Sequence, residues 1–206
     1  MSSMTSTGDH DHVASRYDDE LWELVPAETA PPPDHLRRFV RGLGCAARAL
    51  DVGCGDGRLT LDLEGDHVVA ADPSTVALER ARTRLAAPRF ELVEIAPDTE
   101  LPFADGSFDL VLCAETIEHV RDVQLLISEA RRVLRPRGRL AVTTPAHGRR
   151  TGLDALLRGF ERRFDPLSPH LRFFTRRSLS RLLEELGFTL ESLEREGGSL
   201  LARALR

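Results

Sequence analysis

Three glycines at alternate positions, Gly53, Gly55 and Gly57, follow the apolar run that opens LDVGCGDGRLT, residues 50–60. Acidic residues flank them at Asp51 and Asp56. A strand, a glycine-rich turn and a helix start together form a site for a ligand that approaches the backbone closely. Glycine permits the tight turn and removes the Cβ atoms that would block the approach. In parallel sheets such sites lie at the carboxyl ends of the strands. Spacing narrows the ligand. A dinucleotide turn reads G-x-G-x-x-G, whereas this one reads G-x-G-x-G, which argues against a nicotinamide dehydrogenase. The next apolar run, HVVAAD, ends at Asp72. That is about twenty residues past Gly53, where a carboxylate can accept hydrogen bonds from both hydroxyls of a ribose.

Around this turn, short apolar runs alternate with helical periodicity. Pro31 to Pro33 lead into a helix carrying Leu36, Phe39, Val40 and Leu43, and ARALDV reads as the first strand. Gly57 to Leu63 is expected to open a helix. Ser74 suits the N-cap of a helix reaching Leu85. RFELVEI and FDLVLCA read as strands three and four. VQLLISEARRVL is an amphipathic helix stopped by Pro136 and Gly138, and GRLAVTTP is strand five. Thr175 to Leu186 is a further helix, stopped by Gly187. FTLESLE and SLLARAL, joined by Gly197-Gly198, form a closing hairpin. The pattern predicts an α/β fold: a parallel sheet covered by helices on both faces, with one antiparallel strand from the hairpin.

The length of 206 residues suits one domain. The polar residues 1–15 read as a disordered tail, and 16–206 as a single domain in which 16–45 form a helical cap. No apolar run approaches the roughly 18 residues that a membrane span needs, and no membrane partner is expected. Cys45, Cys54 and Cys113 form no C-x-x-C pair. Sparse, odd cysteines argue for reduced thiols and a cytoplasmic location. All 28 basic residues are arginine, which the base composition of a genome explains without function. A net charge of −5 makes no general case for nucleic acid, yet residues 147–177 hold eight arginines and three acids.

LDVGCGDGRLT, VVAADPS, LPFADGSFDLVLCAETIEHV and EARRVLRPRGRLAVTTP, in that order and spacing, resemble the successive motifs of class I S-adenosylmethionine-dependent methyltransferases, type 11-like. The resemblance covers residues 46–206. It implies a Rossmann-like seven-stranded sheet of order 3-2-1-4-5-7-6 with strand 7 antiparallel. It implies that Asp51 and the turn Gly53, Cys54, Gly55, Gly57 lie against the methionine part of the cofactor, and that Asp72, with Pro73, holds the ribose. Relatives often carry an aspartate near the adenine amine about four residues before LPF. Here that position is Pro97, and the candidates are Asp98 beside it or a backbone group near Ile95 and Ala96. Relatives also fold an N-terminal segment over the cofactor, which makes Tyr17 a candidate contact and leaves a packing role open for it and for Trp22.

CAETIEHV places Glu115, Glu118 and His119 in one stretch. In a helix, positions i, i+3 and i+4 would share a face. Two carboxylates and an imidazole beside a cofactor can bind a divalent ion. His119, with Glu115, is equally a candidate for proton removal from an acceptor without metal. E-x-x-E-H followed by His170 ahead of the Thr175 helix resembles the small-RNA 3′-terminal ribose 2′-O-methyltransferases. E-x-x-E-H also resembles the quinone O-methyltransferases of ubiquinone biosynthesis. Carried over, the ligands would be Glu115, Glu118, His119 and His170, with magnesium, manganese or zinc as the ion. The leading expectation is a methyltransferase acting at oxygen on a small, anionic molecule. An RNA ribose methyltransferase and a non-catalytic cofactor-binding partner are the alternatives.

Overall fold

Ala49, Leu50, Val68, Val69, Leu110, Val111, Leu112 and Cys113 are all fully buried, so consecutive residues of these strands are covered on both faces. Helices on both faces of a sheet cover an unbroken apolar run in this way, and β-strand pairing from the first strand to its neighbours is parallel. The computed structural model describes residues 18–26, 30–159 and 168–206. The tail expected at 1–15, and Tyr17, lie outside the described residues.

In chain order the elements are α1 (18–24), α2 (Asp34–Arg41), β1 (Ala46–Val52), β2 (Gly65–Asp72), α3 (Thr75–Arg84), β3 (Phe90–Glu94) and β4 (Phe108–Ala114). There follow α4 (Val123–Val133), β5 (Leu134–Pro145), α5 (Arg149–Arg158), α6 (Arg176–Glu185), β6 (Thr189–Glu196) and β7 (Ser199–Leu205). The sheet order is β3-β2-β1-β4-β5-β7-β6, with β7 antiparallel to both neighbours. α4 and α6 bury Ile127, Val133, Leu179 and Leu183 against one face. α2 packs Leu36, Phe39 and Val40 on the other, and α3 packs Leu78 and Ala81 there over β2. Truncating a fully buried side chain such as Ile127 or Leu183 to alanine would cost about 2–5 kcal/mol.

Helix ends follow the side chains. Ser74 Oγ caps α3 by accepting from Ala77 N at 3.1 Å, and Asp122 and Thr175 cap α4 and α6 in the same way. Two boundaries differ from the sequence expectation. Residues after Gly57 form only a 3₁₀ turn, Thr60–Asp62. Seven residues between the glycine turn and β2 do not repay helix nucleation. Their polar groups serve elsewhere: Thr60 bonds Asp51, and Asp62 binds Arg37 and Arg41 of α2. The second difference is that Pro136 and Gly138 do not stop α4; they lie within β5, which begins at Leu134. The pairing slips between Phe108↔Leu134 and Leu110↔Arg139. That irregularity accommodates a proline with no N–H to give the ladder.

Guanidinium groups pin many connections by their carbonyls. Arg84 reaches Asp56 O at 2.9 Å, Arg89 reaches Leu63 O at 2.8 Å, and Arg139 binds Leu43 O and Cys45 O. Arg132 holds Leu101 O and Phe103 O at 2.9 and 2.8 Å while pairing with Glu129 and Asp105. Arg172 holds Val120 O and Arg121 O.

Candidate active site

The glycine turn leaves β1 in left-handed backbone, with φ of +72° at Gly53 and +52° at Gly55. The bare Cα atoms are approached by the protein itself. A Cβ on Gly53 would stand 2.3 Å from Thr116 Cγ2, and one on Gly55 would stand 2.6 Å from the Trp22 ring. Asp72 fixes the turn from the end of β2. Its Oδ2 accepts from Gly55 N at 2.8 Å and its Oδ1 from Ser74 N at 2.9 Å. Asp51 is 2% exposed; its Oδ2 accepts from Thr60 Oγ1 at 2.7 Å, and its Oδ1 has no partner. Burial pushes Asp51 up to about 7 and Asp72 up to about 6. Both sites therefore favour a proton or a neighbouring cation.

α1 closes this region from above. Asp19 accepts from Ser74 Oγ at 2.7 Å, Thr75 Oγ1 at 3.1 Å and Val76 N at 3.2 Å, which binds α1 to the start of α3. Trp22 lies over Gly55, with the Arg80 guanidinium 5.8 Å from its ring centre. Beneath them a cavity of 410 Å³ runs from Trp22 and Gly53 past Asp72 and Asp98 to His119 and Leu171. Asp18 lines it too, and burial raises its carboxyl to about 6, against the pull of Arg121. Pro73 and Ile95 add apolar wall. Asp98 stands at φ +53°, and its Oδ1 accepts from Asp122 N at 3.0 Å. A smaller cavity of 250 Å³ is lined by Asp51 and Cys54, and Trp22, Gly53, Gly55 and Glu115 border both. Gly57 faces Leu85 instead, at 3.0 Å from a built Cβ.

After β4 the chain turns without forming a helix, so the helical face expected for Glu115, Glu118 and His119 does not exist. Glu115 sits at φ +52°, its N–H donating to Thr143 O at 2.9 Å and its Oε1 accepting from Thr143 Oγ1 at 2.9 Å. Glu118, 2% exposed, accepts at Oε2 from Thr144 Oγ1 at 2.9 Å, while its Oε1 has no partner. His119 Nε2 lies 3.9 Å from that Oε1, and its Nδ1 is 3.0 Å from Pro169 O. The His170 ring packs edge-on against His119, centroids 4.8 Å apart. Ligand atoms of Glu118, His119 and His170 all lie within 4.8 Å of one another. Glu115 stands outside that group, bonded to Thr143 and Ser199. Burial and the nearby Glu115 push Glu118 up to about 8, and burial lowers both histidines.

The segment bearing His170 is stitched to this turn. Leu171 N and Arg172 N both donate to Glu118 O, at 2.8 and 3.1 Å, and the Arg172 side chain holds the carbonyls of Val120 and Arg121. The sequence alone distinguishes neither Arg172 nor Thr60, and it offers Trp22 no more than a packing role. Trp22 is the one tryptophan of the chain, which was its signal. Arg172 stood among eight arginines with nothing to distinguish it.

Residues 50–142 match the family model described as a methyltransferase domain. The chain carries a class I S-adenosylmethionine-dependent methyltransferase domain. A demethylmenaquinone methyltransferase of Clavibacter sepedonicus is 34% identical over 165 residues, covering 72% of this chain and 62% of the relative. A 27-O-demethylrifamycin SV methyltransferase of Amycolatopsis mediterranei is 36% identical over 132 residues, covering 61% and 48%. The chain thus spans about half to three-fifths of the length of these relatives. The fold is shared with a crystal structure from Bacillus halodurans described as a putative methyltransferase. The TM-score is 0.70 at 20% identity, covering 84% of this chain and 99% of that one.

The residues of this methyltransferase domain fit S-adenosylmethionine. A buried carboxylate oxygen with no partner, Asp51 Oδ1, stands by the glycine turn where a cationic amino-acid end would be received. Asp72 lines the larger cavity with lone pairs left for a ribose. Ile95, Leu101, Leu125 and Leu126 offer an apolar slot for a flat base. Among the described residues, no helix is long and apolar enough to cross a membrane.

Proposed function

We propose that this chain transfers a methyl group from S-adenosylmethionine to an oxygen of a small molecule. The observation that carries the reading is one cavity lined at one end by Gly53, Gly55 and Asp72 and at the other by His119 and Leu171. Asp51, Gly53, Cys54, Gly55, Asp72 and Pro73 would hold the cofactor, with Asp98 at its adenine end. Bound, it supplies a methyl group already activated by the sulfonium. The chain must then align the acceptor and remove its proton. Pro169 O draws the Nδ1 proton of His119, which leaves Nε2 with a free lone pair toward the cavity end. Lowered by burial, that imidazole is neutral and ready to take the proton of a hydroxyl. The relatives' printed names, a demethylmenaquinone and a 27-O-demethylrifamycin methyltransferase, support a small-molecule acceptor.

The anionic character expected of the acceptor finds little support in the cavity wall. Among the described residues that line it, the one arginine is Arg121, which faces Asp98 at 3.7 Å. A neutral hydroxyl is the better reading. The test is transfer of a radiolabelled methyl group to a panel of phenols, enols and alcohols. His119→Ala should lower turnover about 10²- to 10⁴-fold and leave cofactor affinity unchanged. Cofactor binding without turnover on any acceptor would favour a non-catalytic partner instead.

One observation favours a metal-assisted version. Glu118 Oε1 is buried without a partner and faces two imidazoles. Such a set holds zinc or manganese more readily than magnesium. An ion held by Glu118, His119 and His170 would acidify and orient the acceptor hydroxyl. Glu115, raised by burial, would stand beside the ion and outside its ligand shell. Turnover abolished by a chelator and restored by added ion supports this version. Turnover indifferent to chelation leaves His119 as the base. Ribose at an RNA terminus would offer the same hydroxyl chemistry, and steep loss of binding with salt would identify it.

A further inference from the structure

The two cavities meet at a short junction, which Trp22, Val25, Gly53, Gly55 and Glu115 border from both sides. Val25 is apolar and the glycines bring bare backbone. Trp22 and Glu115 are therefore the junction side chains that can answer a charge. Glu115 stands at the end of β4 with its backbone left-handed, at φ +52°, a conformation that costs free energy in a residue with a side chain. Neighbours hold it there. Glu115 N donates to Thr143 O at 2.9 Å, Thr143 Oγ1 donates to Glu115 Oε1 at 2.9 Å, and Ser199 bonds the same carboxyl group. Hydroxyl donors favour the ionised carboxylate against the burial that raises it. Among the described residues, the arginines lining the two cavities are Arg58 and Arg121. They are taken by Asp56 at 2.7 Å and Asp98 at 3.7 Å, so neither is bonded to Glu115. Trp22 lies over Gly55, with the Arg80 guanidinium 5.8 Å from its ring centre.

The cofactor reading above, on which this inference rests, puts three arms on one sulfur. With the ribose at Asp72 in the larger cavity and the ammonium at Asp51 in the smaller, the sulfur falls where the cavities join. We propose that Glu115 and Trp22 recognise the positive charge of the sulfonium and so favour the methyl-bearing cofactor over its demethylated product. Transfer forms a bond from the acceptor oxygen to the methyl carbon as the bond from sulfur to that carbon breaks. The electron pair stays on sulfur, the hydroxyl proton passes to His119, and the sulfonium becomes a neutral thioether. Ribose, base and ammonium are unchanged by the step, so the groups that hold them bind cofactor and product alike. Groups beside the sulfur are the ones that can tell the two apart. A buried carboxylate attracts the cation and finds no charge to attract in the product. An indole face adds a cation–π attraction. Its share is the smaller, because Arg80 already draws on the ring. Spent cofactor then leaves because the charge that held it has gone, which limits inhibition by product.

The test is calorimetry of the full chain with S-adenosylmethionine, S-adenosylhomocysteine and sinefungin, an analogue with a protonated amine in place of the sulfonium. Glu115→Gln keeps the size of the side chain and removes its charge. It should weaken the two cationic ligands about tenfold and leave S-adenosylhomocysteine within about twofold. Trp22→Leu should lower the preference for the cationic ligands about threefold, and Trp22→Phe should keep part of it. A residue that served the fold alone would weaken all three ligands together, so the ratio of affinities is the readout. Should Glu115→Gln fail to fold, the Trp22 variants read the same ratio. Equal weakening of all three ligands, or a ratio that neither substitution moves, overturns the proposal and leaves the cofactor site standing. Failure of the wild type to bind any of the three would overturn the cofactor reading itself, and the proposal with it.

Discussion

The hydroxyl of Thr60 donates to Asp51 Oδ2 at 2.7 Å and so leaves Oδ1 as the free oxygen of a buried carboxylate. Burial holds the Asp51 carboxyl near 7, far above its ordinary range. Below about pH 4 the group is protonated in the folded and unfolded chain alike and costs nothing. Between pH 4 and 7 the unfolded chain ionises first, so stability falls as pH rises, and the cost levels off above 7. Asp72, raised to about 6, acts with the same sign. Asp51→Asn should therefore flatten the melting temperature between pH 5 and 7.5 and stabilise the apo-protein above pH 7 by on the order of 2–4 kcal/mol. It should weaken cofactor binding at the same time. A variant that melts in parallel with the wild type across that range would remove Asp51 from the account.

Asp72 holds two backbone amides of the turn as well as facing the cavity. Asp72→Ala should cost about 1.5–3 kcal/mol in cofactor affinity, because donors are left without an acceptor. The same change should lower the melting temperature, since Gly55 N and Ser74 N lose their partner. Asp72→Asn keeps one acceptor oxygen and should fall between the two. Calorimetry with S-adenosylhomocysteine measures the first effect, and normal binding by the alanine variant would refute the ribose assignment.

Trp22 and Gly55 should be coupled. Gly55→Ala forces a Cβ to 2.6 Å from the indole at a left-handed φ. In the wild-type background the substitution should cost about 2–4 kcal/mol, of which the backbone accounts for about 1–2. With Trp22→Ala already made, only the backbone part should remain. Denaturant unfolding of the four proteins of this cycle gives the coupling, expected at about 1 kcal/mol or more. Strict additivity would mean that the indole does not rest on the turn.

Arg172 is a positioning residue for the His119–His170 pair. Its guanidinium ties the carbonyls of Val120 and Arg121 to the segment that follows His170. Arg172→Ala should lower kcat about tenfold or more and leave the cofactor Kd within about twofold, the pattern of a lost alignment. Arg172→Lys should not restore it, because one ammonium cannot span two carbonyls as the planar fork does.

Most strands, and the helices that Ser74, Asp122 and Thr175 cap, were legible in the sequence because each rests on local chemistry. The order of the sheet came with the family resemblance. What escaped was decided by distant partners. Whether residues 57–63 coil into a helix depends on Arg37 and Arg41 claiming Asp62 from another element. Leu134 becomes strand because its side chain is fully buried beside β4, which outweighs the proline after it. Glu115, Glu118 and His119 were legible as a group, yet Thr143 of β5 draws Glu115 aside. The partners of Trp22 and Arg172 lie 33 and about 50 residues away, beyond any periodic signal.

The arginines that grip Asp56, Leu63, Leu101, Phe103, Val120 and Arg121 by their main-chain oxygens give those connections an unusual indifference to solution conditions. A carboxylate lets go of its cation once acid protonates it, whereas an amide oxygen has no proton to gain in that range. A guanidinium likewise keeps its charge at every pH that a cell meets. Acidification would thus loosen Arg37 and Arg41 from Asp62 well before it freed the loops around the cavity. Protonating Asp62, which the two guanidiniums hold below the usual carboxylate range, would cost the helix at Asp34–Arg41 this ionic tie while the carbonyl grips stayed as they are.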